Sequence, residues 1–112
     1  MKDYLIIFFL GVFTLTTPAL SKDFEIKDIE KIGFQKGDQQ FYQMIGAIDG
    51  WSGTLDGDEV EIYVFESENK INEVFFSSLI SKNLWKIYCS KSNVSLISKG
   101  ENACKVLELR LK

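Results

Sequence analysis

Residues 51–66, with the sequence WSGTLDGDEVEIYVFE, decide the fold class of this chain. Asp56, Gly57 and Asp58 separate two strand-like runs, and an Asp-Gly pair at such a position is a strong signal for a β-hairpin. A tight turn needs positive φ, which glycine adopts without a Cβ clash. The sequence therefore predicts an antiparallel hairpin with its turn at residues 56–58.

The second strand of this hairpin presents two chemically different faces, because successive side chains of a strand point to opposite sides of the sheet. One face is wholly aliphatic, with Val60, Ile62 and Val64. We expect this face to be buried, and we expect the aromatic end of the other face either to be covered or to remain open as a contact surface. That other face carries, in order, Glu59, Glu61, Tyr63 and Phe65.

Three other segments have apolar side chains at helical spacing: residues 22–34, 39–49 and 67–83. The sequence therefore predicts three helices in addition to the hairpin, and for residues 22–34 the spacing also fits an extended segment in part. In residues 39–49 the apolar positions recur at i, i+3, i+4 and i+7, and they are Phe41, Met44, Ile45 and Ile48.

A second hairpin follows the third of these helices. Residues 84–89 and 94–98 alternate apolar and polar side chains, and the polar residues 90–93 form the turn between them. Residues 101–112 are ambiguous, because their helix-forming residues favour a helix, whereas an alternation of three leucines favours a strand. We favour the helix, since Gly100 lies just before its start, and a strand is the alternative.

Together these segments predict a two-layer α+β domain. Its antiparallel sheet has about four strands in two hairpins, which are joined by the helix of residues 67–83, and the helices pack on one side of the sheet. No internal repeat and no low-complexity linker interrupts residues 22–112, so we expect a single small domain there.

The first 21 residues have the features of a secretory signal peptide. Lys2 precedes an apolar run over residues 4–13, and Ala19 and Ser21 supply small side chains at the −3 and −1 positions of a cleavage site. A membrane span needs about 20 apolar residues, so an uncleaved membrane anchor is the alternative rather than the main interpretation. We expect a secreted or periplasmic protein that is cleaved after Ser21 and then has no membrane contact.

Cys89 and Cys104 are the only cysteines of the 112-residue chain. An even number of cysteines in an exported protein indicates a disulfide, and their separation lacks the C-x-x-C spacing of a redox-active pair. We predict a structural disulfide, which would contribute roughly 3 kcal/mol to stability.

The net charge of −3 is unevenly distributed along the chain. Residues 37–69 contain eight acids and no lysine or arginine, whereas residues 70–112 contain eight basic residues and three acids. Either the two halves neutralise each other in the fold, or a polarised surface attracts a charged partner. Nucleic acid is not expected as a partner, because the protein is acidic overall and its basic residues are not clustered.

Histidine is absent from the sequence, which removes the commonest general base and the commonest zinc ligand. No nucleotide-binding glycine motif occurs, and the acidic turn has Val60 and Glu61 where an EF-hand needs an oxygen ligand and a glycine. We therefore expect no cofactor and no metal site. An enzyme would have to use carboxylates, as in a small carboxylate-dependent hydrolase.

The leading hypothesis from the sequence is a non-enzymatic exported binding or accessory protein that binds or inhibits a basic extracytoplasmic protein. Its contact surface would be the first hairpin, with aromatic anchors and an acidic rim for a cationic protein or peptide. The alternatives are the carboxylate-dependent hydrolase and a structural component of the cell envelope. The candidate binding residues are Asp56, Asp58, Glu59, Glu61, Tyr63 and Phe65.

Overall fold

A computed structural model of the protein describes residues 23–112. The predicted signal peptide, residues 1–21, lies outside the described residues. The helices and strands follow one another in the order α1 (Ile26–Lys31), β1 (Gln35–Gln39), a 3-10 helix (Gln43–Ile45), β2 (Asp49–Leu55), β3 (Asp58–Val64), a second 3-10 helix (Glu68–Lys70), α2 (Glu73–Ser81), β4 (Ile87–Lys91), β5 (Val94–Ser98) and α3 (Asn102–Arg110).

The strands form one antiparallel sheet with the order β1-β2-β3-β5-β4. The predicted α+β class, with an antiparallel sheet in two hairpins and helices packed against it, is confirmed. The connection through α2 carries the chain from β3 past β5 to the edge strand β4. The sheet has five strands rather than about four, because residues 35–39 pair with β2 as an additional edge strand.

The turn between β2 and β3 consists of Asp56 and Gly57, and Leu55 pairs with Asp58 across it. Both turn residues have positive φ, 52° for Asp56 and 84° for Gly57, as a type I′ turn requires. Such a turn matches the right-handed twist of the flanking strands, so the Asp-Gly pair sets the register of the whole hairpin.

Each face of the sheet is covered by its own group of helices. On the face that carries Val60 and Ile62, α1 and α3 complete the larger core with side chains such as Ile29 and Leu107. On the opposite face, α2 and the segment between β1 and β2 cover a smaller cluster, so helices lie on both sides of the sheet rather than on one. The buried members of this second cluster are Ala47, Tyr63, Phe65, Phe76 and Ile97.

The prediction of a helix over residues 39–49 is wrong. Only Gln43–Ile45 form a single 3-10 turn, which ends at Gly46 with a φ of 81°. The Ile48 N–H donates to the Val64 carbonyl at 2.8 Å, which extends the ladder between β2 and β3. A short helix has little stability of its own in water, so pairing with a strand that the hairpin already holds in place prevails.

α2 is shorter than the helix predicted for residues 67–83. It begins after Asn72, whose side chain accepts a hydrogen bond from the Phe75 N–H at 3.1 Å. It ends before Asn83, which has positive φ. Residues 68–70 form a separate 3-10 turn ahead of the helix.

The helical interpretation of the C-terminal segment is confirmed, because residues 102–110 form α3. Cys104 of α3 is bonded to Cys89 of β4, with an S–S distance of 2.05 Å and Cα atoms 6.0 Å apart. The predicted disulfide is therefore present, and it joins α3 to an edge strand. Closing a loop of this size stabilises a small domain by roughly 3 kcal/mol.

The disulfide also bears on the compartment of the protein. An intramolecular disulfide indicates a non-reducing, extracytoplasmic environment. Within residues 23–112, no helix is both long enough and apolar enough to span a membrane. The signal peptide and the secretion that it would direct stay predictions from the sequence.

Candidate functional site

The two ends of the sheet carry different structures. The Asp56 end contains the β2–β3 turn and the start of α3, whereas the Asn93 end contains the β4–β5 turn, the start of β2 and the end of β3. The Asn93 side chain accepts a hydrogen bond from the Phe24 N–H at 2.8 Å. It donates to the carbonyls of Phe24 at 2.9 Å and Phe65 at 2.8 Å. Asn93 thereby ties the N-terminal segment, β3 and the second hairpin together.

The acids of the predicted hairpin site are dispersed over the β2–β3 turn and β3 rather than gathered at one point. Asp56 and Glu59 are exposed near the turn. Asp58 caps α3, because its Oδ2 accepts hydrogen bonds from the N–H groups of Asn102 at 2.7 Å and Ala103 at 2.8 Å. Its carboxylate therefore has a structural role within the fold.

Glu61 is partly buried and bonded to another residue of the predicted site. The Tyr63 hydroxyl donates to Glu61 Oε1 at 2.7 Å. Burial raises the pKa of the Tyr63 phenol, and the bonded Glu61 carboxylate raises it further, because both disfavour the phenolate. Tyr63 therefore remains a neutral hydrogen-bond donor.

Tyr63 and Phe65 lie in the core and are not exposed anchors. Their exposed fractions are 7% and 0%, and both pack against Phe76 of α2, with ring centroids 5.8 Å and 6.2 Å apart. Phe76 is stacked in turn on Tyr88 of β4, with centroids 5.0 Å apart. The aromatic end of β3 is thus covered, which corrects the hypothesis that places these two residues at a contact surface.

Basic side chains from the second half of the chain lie at the Asp56 end. Lys86 Nζ forms an ion pair with Glu101 Oε2 at 3.5 Å. Lys99 Nζ lies 4.9 Å from the centre of the Trp85 ring. The Lys99 N–H also donates to the Glu59 carbonyl at 2.9 Å. The first hairpin and the second half of the chain therefore meet at this end through the backbone, while the ion pair and the contact of Lys99 with the Trp85 ring both lie within the second half itself.

The loop between β1 and β2, residues 40–48, is an apolar loop that exposes large side chains to solvent. Tyr42 and Ile45 pack against the smaller core cluster, so the loop is held on the sheet while its other apolar residues face water. Exposed apolar clusters of this kind commonly mark interaction sites. The exposed fractions are 87% for Phe41, 86% for Met44 and 57% for Ile48.

The base of the apolar loop is closed and flanked by acids. The Gln40 N–H donates to the Gly50 carbonyl at 3.0 Å. Asp38 is exposed before the loop, and Asp49 is partly exposed after it. Since residues 37–69 contain no lysine or arginine, the loop presents apolar side chains within an acidic part of the chain.

An open cleft of 1410 Å³ also lies at the Asn93 end. One part of its lining comes from the segment between β3 and the first turn of α2, and another comes from the end of α3 together with Leu111 and Lys112. The first part consists of Ser67, Glu68, Asn69, Ile71 and Glu73, and the rest of the lining is supplied by Asp23, Phe24, Lys91 and Ser92. The cleft is acidic on balance, with four carboxylates against two ammonium groups. These charged residues are Asp23, Glu68, Glu73, Glu108, Lys91 and Lys112.

Exposed apolar side chains are concentrated at the Asn93 end. Of the six large ones that are exposed within residues 23–112, Leu84 is the exception, because it lies beyond the far end of α2. Val74 belongs to the first turn of α2, beside the cleft wall, and Leu109 lines the cleft itself. The apolar loop supplies the other three. The Asn93 end is therefore the candidate functional site.

No group of three or more side chains that could hold a metal ion occurs in the part of the chain that the structure describes. The chain matches no family model, and no curated protein or solved structure is significantly similar to it. Function is therefore inferred from the surface of this chain alone.

The exposed residues of the apolar loop are visible in the sequence, but their pattern there indicates a helix. Phe41, Met44 and Ile48 have the spacing of one buried helical face, so the sequence predicts that they are covered. The signal that could have located the loop is Gly46 followed by Gly50, because glycine is unfavourable inside a helix and common where a chain turns.

Proposed function

We propose that the protein is a non-enzymatic extracytoplasmic binding protein that contacts its partner mainly through the apolar loop. The observation that carries the proposal is the exposure of Phe41 and Met44, at 87% and 86%. Large apolar side chains on a closed loop, held to a sheet, are typical of protein interfaces. The disulfide supports the extracytoplasmic location.

The partner is a cationic protein or peptide with an apolar pocket. Asp38 and Asp49 flank the apolar loop, so basic residues around such a pocket would meet opposite charge. Burying one large apolar side chain contributes about 1.5–3 kcal/mol, so Phe41 and Met44 are the two main anchors on the loop. This surface keeps the acidic character predicted for the first hairpin but replaces the anchors at Tyr63 and Phe65.

The test is affinity capture from the extracytoplasmic fraction of the source organism, with the protein as bait. The double variant Phe41→Ser/Met44→Ser is expected to lose a basic protein that the wild type captures. Leu84→Ser is the matched control, because Leu84 is also an exposed apolar residue, at 54%, but lies away from the Asn93 end. The control is expected to capture the same protein as the wild type.

Thermal unfolding of the same variants distinguishes an interface from a core. Exposed substitutions usually change the free energy of unfolding by no more than about 0.5 kcal/mol, so the double variant is expected to melt with the wild type. Equal capture by the wild type and the double variant would overturn the proposal. A large fall in melting temperature of the double variant would also contradict it, since the loop would then be structural.

A further inference from the structure

The two edge strands of the sheet differ in their protection against pairing with another strand. A strand edge carries unpaired backbone groups, and proteins protect such edges with charged side chains and β-bulges. β1 has both kinds of protection, because it includes a lysine and an aspartate and its pairing with β2 is irregular between Lys36 and Gln39. β4, at the other edge, pairs with β5 in an unbroken register over all five of its residues. The edge at β4 therefore has no bulge.

The edge at β4 also has no charge in front of it. Lys91 is the one charged residue of β4, and its Nζ donates to the backbone carbonyl of Glu108 and lies 3.9 Å from the Glu108 carboxylate. Glu108 belongs to α3, which packs on one face of the sheet, so the ammonium group is held over that face. Of the other four residues of β4, Ser90 is exposed and the rest are partly exposed.

The hydrogen bonds of β5 show which backbone groups of β4 point outward. In an antiparallel sheet, alternate residues of a strand bond to the strands on its two sides. The Asn93 carbonyl accepts from the Phe65 N–H at 2.8 Å, and the Lys99 N–H donates to the Glu59 carbonyl at 2.9 Å. Asn93 and Lys99 flank β5, so the odd-numbered residues along this strand bond to β3 and the even-numbered ones bond to β4.

The even-numbered residues of β5 lie opposite the odd-numbered residues of β4. The remaining residues of β4, Tyr88 and Ser90, therefore direct their N–H and C=O groups away from β5. Within residues 23–112, no strand lies on that outer side of β4. The edge thus presents two residues whose backbone groups can pair with a further strand.

A second copy of β4 fits this edge in an antiparallel register centred on Cys89. All five residues of each strand are then paired. Tyr88 lies opposite Ser90 of the second copy, so that outward groups meet outward groups and about four backbone hydrogen bonds form between the copies. Lys91 lies opposite Ile87 of the second copy, so no like charges face each other.

We propose that two copies of the protein associate through β4, which joins their two five-stranded sheets into one continuous antiparallel sheet. A two-fold axis relates the copies, so the assembly closes at a dimer. Pairing of β4 with β1 of a second copy would instead continue into an open filament, and the bulge and charges of β1 disfavour it. The inference goes beyond the proposed function and does not depend on it, because it involves no residue of the apolar loop.

Analytical ultracentrifugation of the disulfide-bonded protein measures the association. So few backbone hydrogen bonds make a small interface, and we expect half of the protein to be dimeric at roughly 10–100 µM. Ser90→Pro removes an outward N–H that the sheet itself does not use, a position at which proline is tolerated. It is expected to weaken dimerisation roughly tenfold or more, because the dimer loses a hydrogen bond in each copy.

Ser90→Ala is the matched control, because alanine at the same position keeps the N–H. It is expected to dimerise like the wild type. Circular dichroism of the two variants checks that both keep the fold.

Hydrogen exchange locates the contact without any substitution, and it tests the inference even if Ser90→Pro does not fold. The amides of Tyr88 and Ser90 are expected to exchange several-fold more slowly at about 1 mM than at about 10 µM protein, because the dimer supplies their acceptors. The amides of β1, the other edge strand, are expected to exchange equally at both concentrations.

The inference is overturned if the wild type stays monomeric up to about 1 mM, or if folded Ser90→Pro dimerises as strongly as Ser90→Ala. It also fails if the concentration-dependent protection appears outside β4, or if Phe41→Ser/Met44→Ser abolishes dimerisation, because the apolar loop would then join the copies. Partner capture is measured separately, so failure of the proposed function leaves the result for β4 unchanged.

Discussion

The Asp58 carboxylate caps α3 across 45 positions of sequence, since Ala103 donates its backbone N–H to Asp58 Oδ2 at 2.8 Å. The N–H of Asn102 donates to the same oxygen at 2.7 Å. The N–H groups in the first turn of a helix have no partners within the helix. The N-terminus is also the positive end of the helix dipole, so a carboxylate is favoured there. An acid of the first hairpin thereby positions the helix that carries Cys104.

Asp58→Ala is expected to lower the free energy of unfolding by about 1–2 kcal/mol, because it leaves two N–H groups of α3 without an acceptor. Urea unfolding followed by circular dichroism measures the change. Glu59→Ala is the control, since Glu59 is an exposed acid next to Asp58 in β3 and its replacement leaves the positive-φ turn residues unchanged. Equal loss in the two variants would indicate that removal of an acid from this strand, and not the lost cap, is the cause.

Gly100 is expected to be intolerant of a side chain for a related reason. A Cβ atom at this position would lie 2.1 Å from Asp58 Oδ1 and would displace the capping carboxylate. Gly100→Ala should therefore cost stability comparable to Asp58→Ala, and the double variant should cost little more than either single one, because the same contact is lost. Additive losses would show that the two residues act separately.

Asn93 is expected to be one of the least replaceable polar residues of the described chain. It is 1% exposed, and its Nδ2 donates to two backbone carbonyls. Asn93→Asp keeps the shape but places an oxygen against both carbonyls, so we expect a loss of about 3 kcal/mol or more. Asn69→Asp is the control, because Asn69 is exposed. Equilibrium unfolding measures both variants, and a small loss of unfolding free energy in Asn93→Asp would contradict the hydrogen bonds assigned to Asn93.

The free energy of unfolding is expected to fall at alkaline pH because of Tyr63. Its pKa in the folded protein is raised by burial and by Glu61, whereas a tyrosine in the unfolded chain titrates near its ordinary pKa of about 10. The contribution of Tyr63 to the free energy of unfolding is therefore complete below about pH 10. It is lost as the pH rises above this value, because the Tyr63 phenol then releases its proton in the unfolded chain but not in the folded protein.

Tyr63→Phe removes this titration together with the hydrogen bond to Glu61. The variant is expected to be about 1 kcal/mol less stable than the wild type at pH 7, and the gap should narrow between about pH 10 and pH 11. Chemical unfolding at a series of pH values measures both proteins under the same conditions. A gap that stays constant across this range would show that the phenol is not held protonated by the fold.

Several features of this protein were determined by neighbouring residues and could be predicted from the sequence. The Asp56-Gly57 pair specifies a turn with two positive φ values, and it thereby sets the register of β2 and β3. The alternation of Val60 and Ile62 with polar residues identifies one buried face. The disulfide could be predicted because the chain contains no third cysteine that would offer another pairing.

Tertiary structure decided which side chains are covered and what each polar group binds. β1 contains no apolar residue, so nothing in its own sequence indicates a strand. It pairs with β2 because Gly53 leaves room for it. A Cβ atom at position 53 would lie 2.1 Å from the Gln35 carbonyl oxygen. Phe65 is buried because Phe76 of α2 packs against it, whereas Phe41 is exposed because no helix within residues 23–112 covers it. Backbone preferences are encoded within a few residues, but burial and hydrogen-bond partners depend on distant segments that meet only in the folded chain.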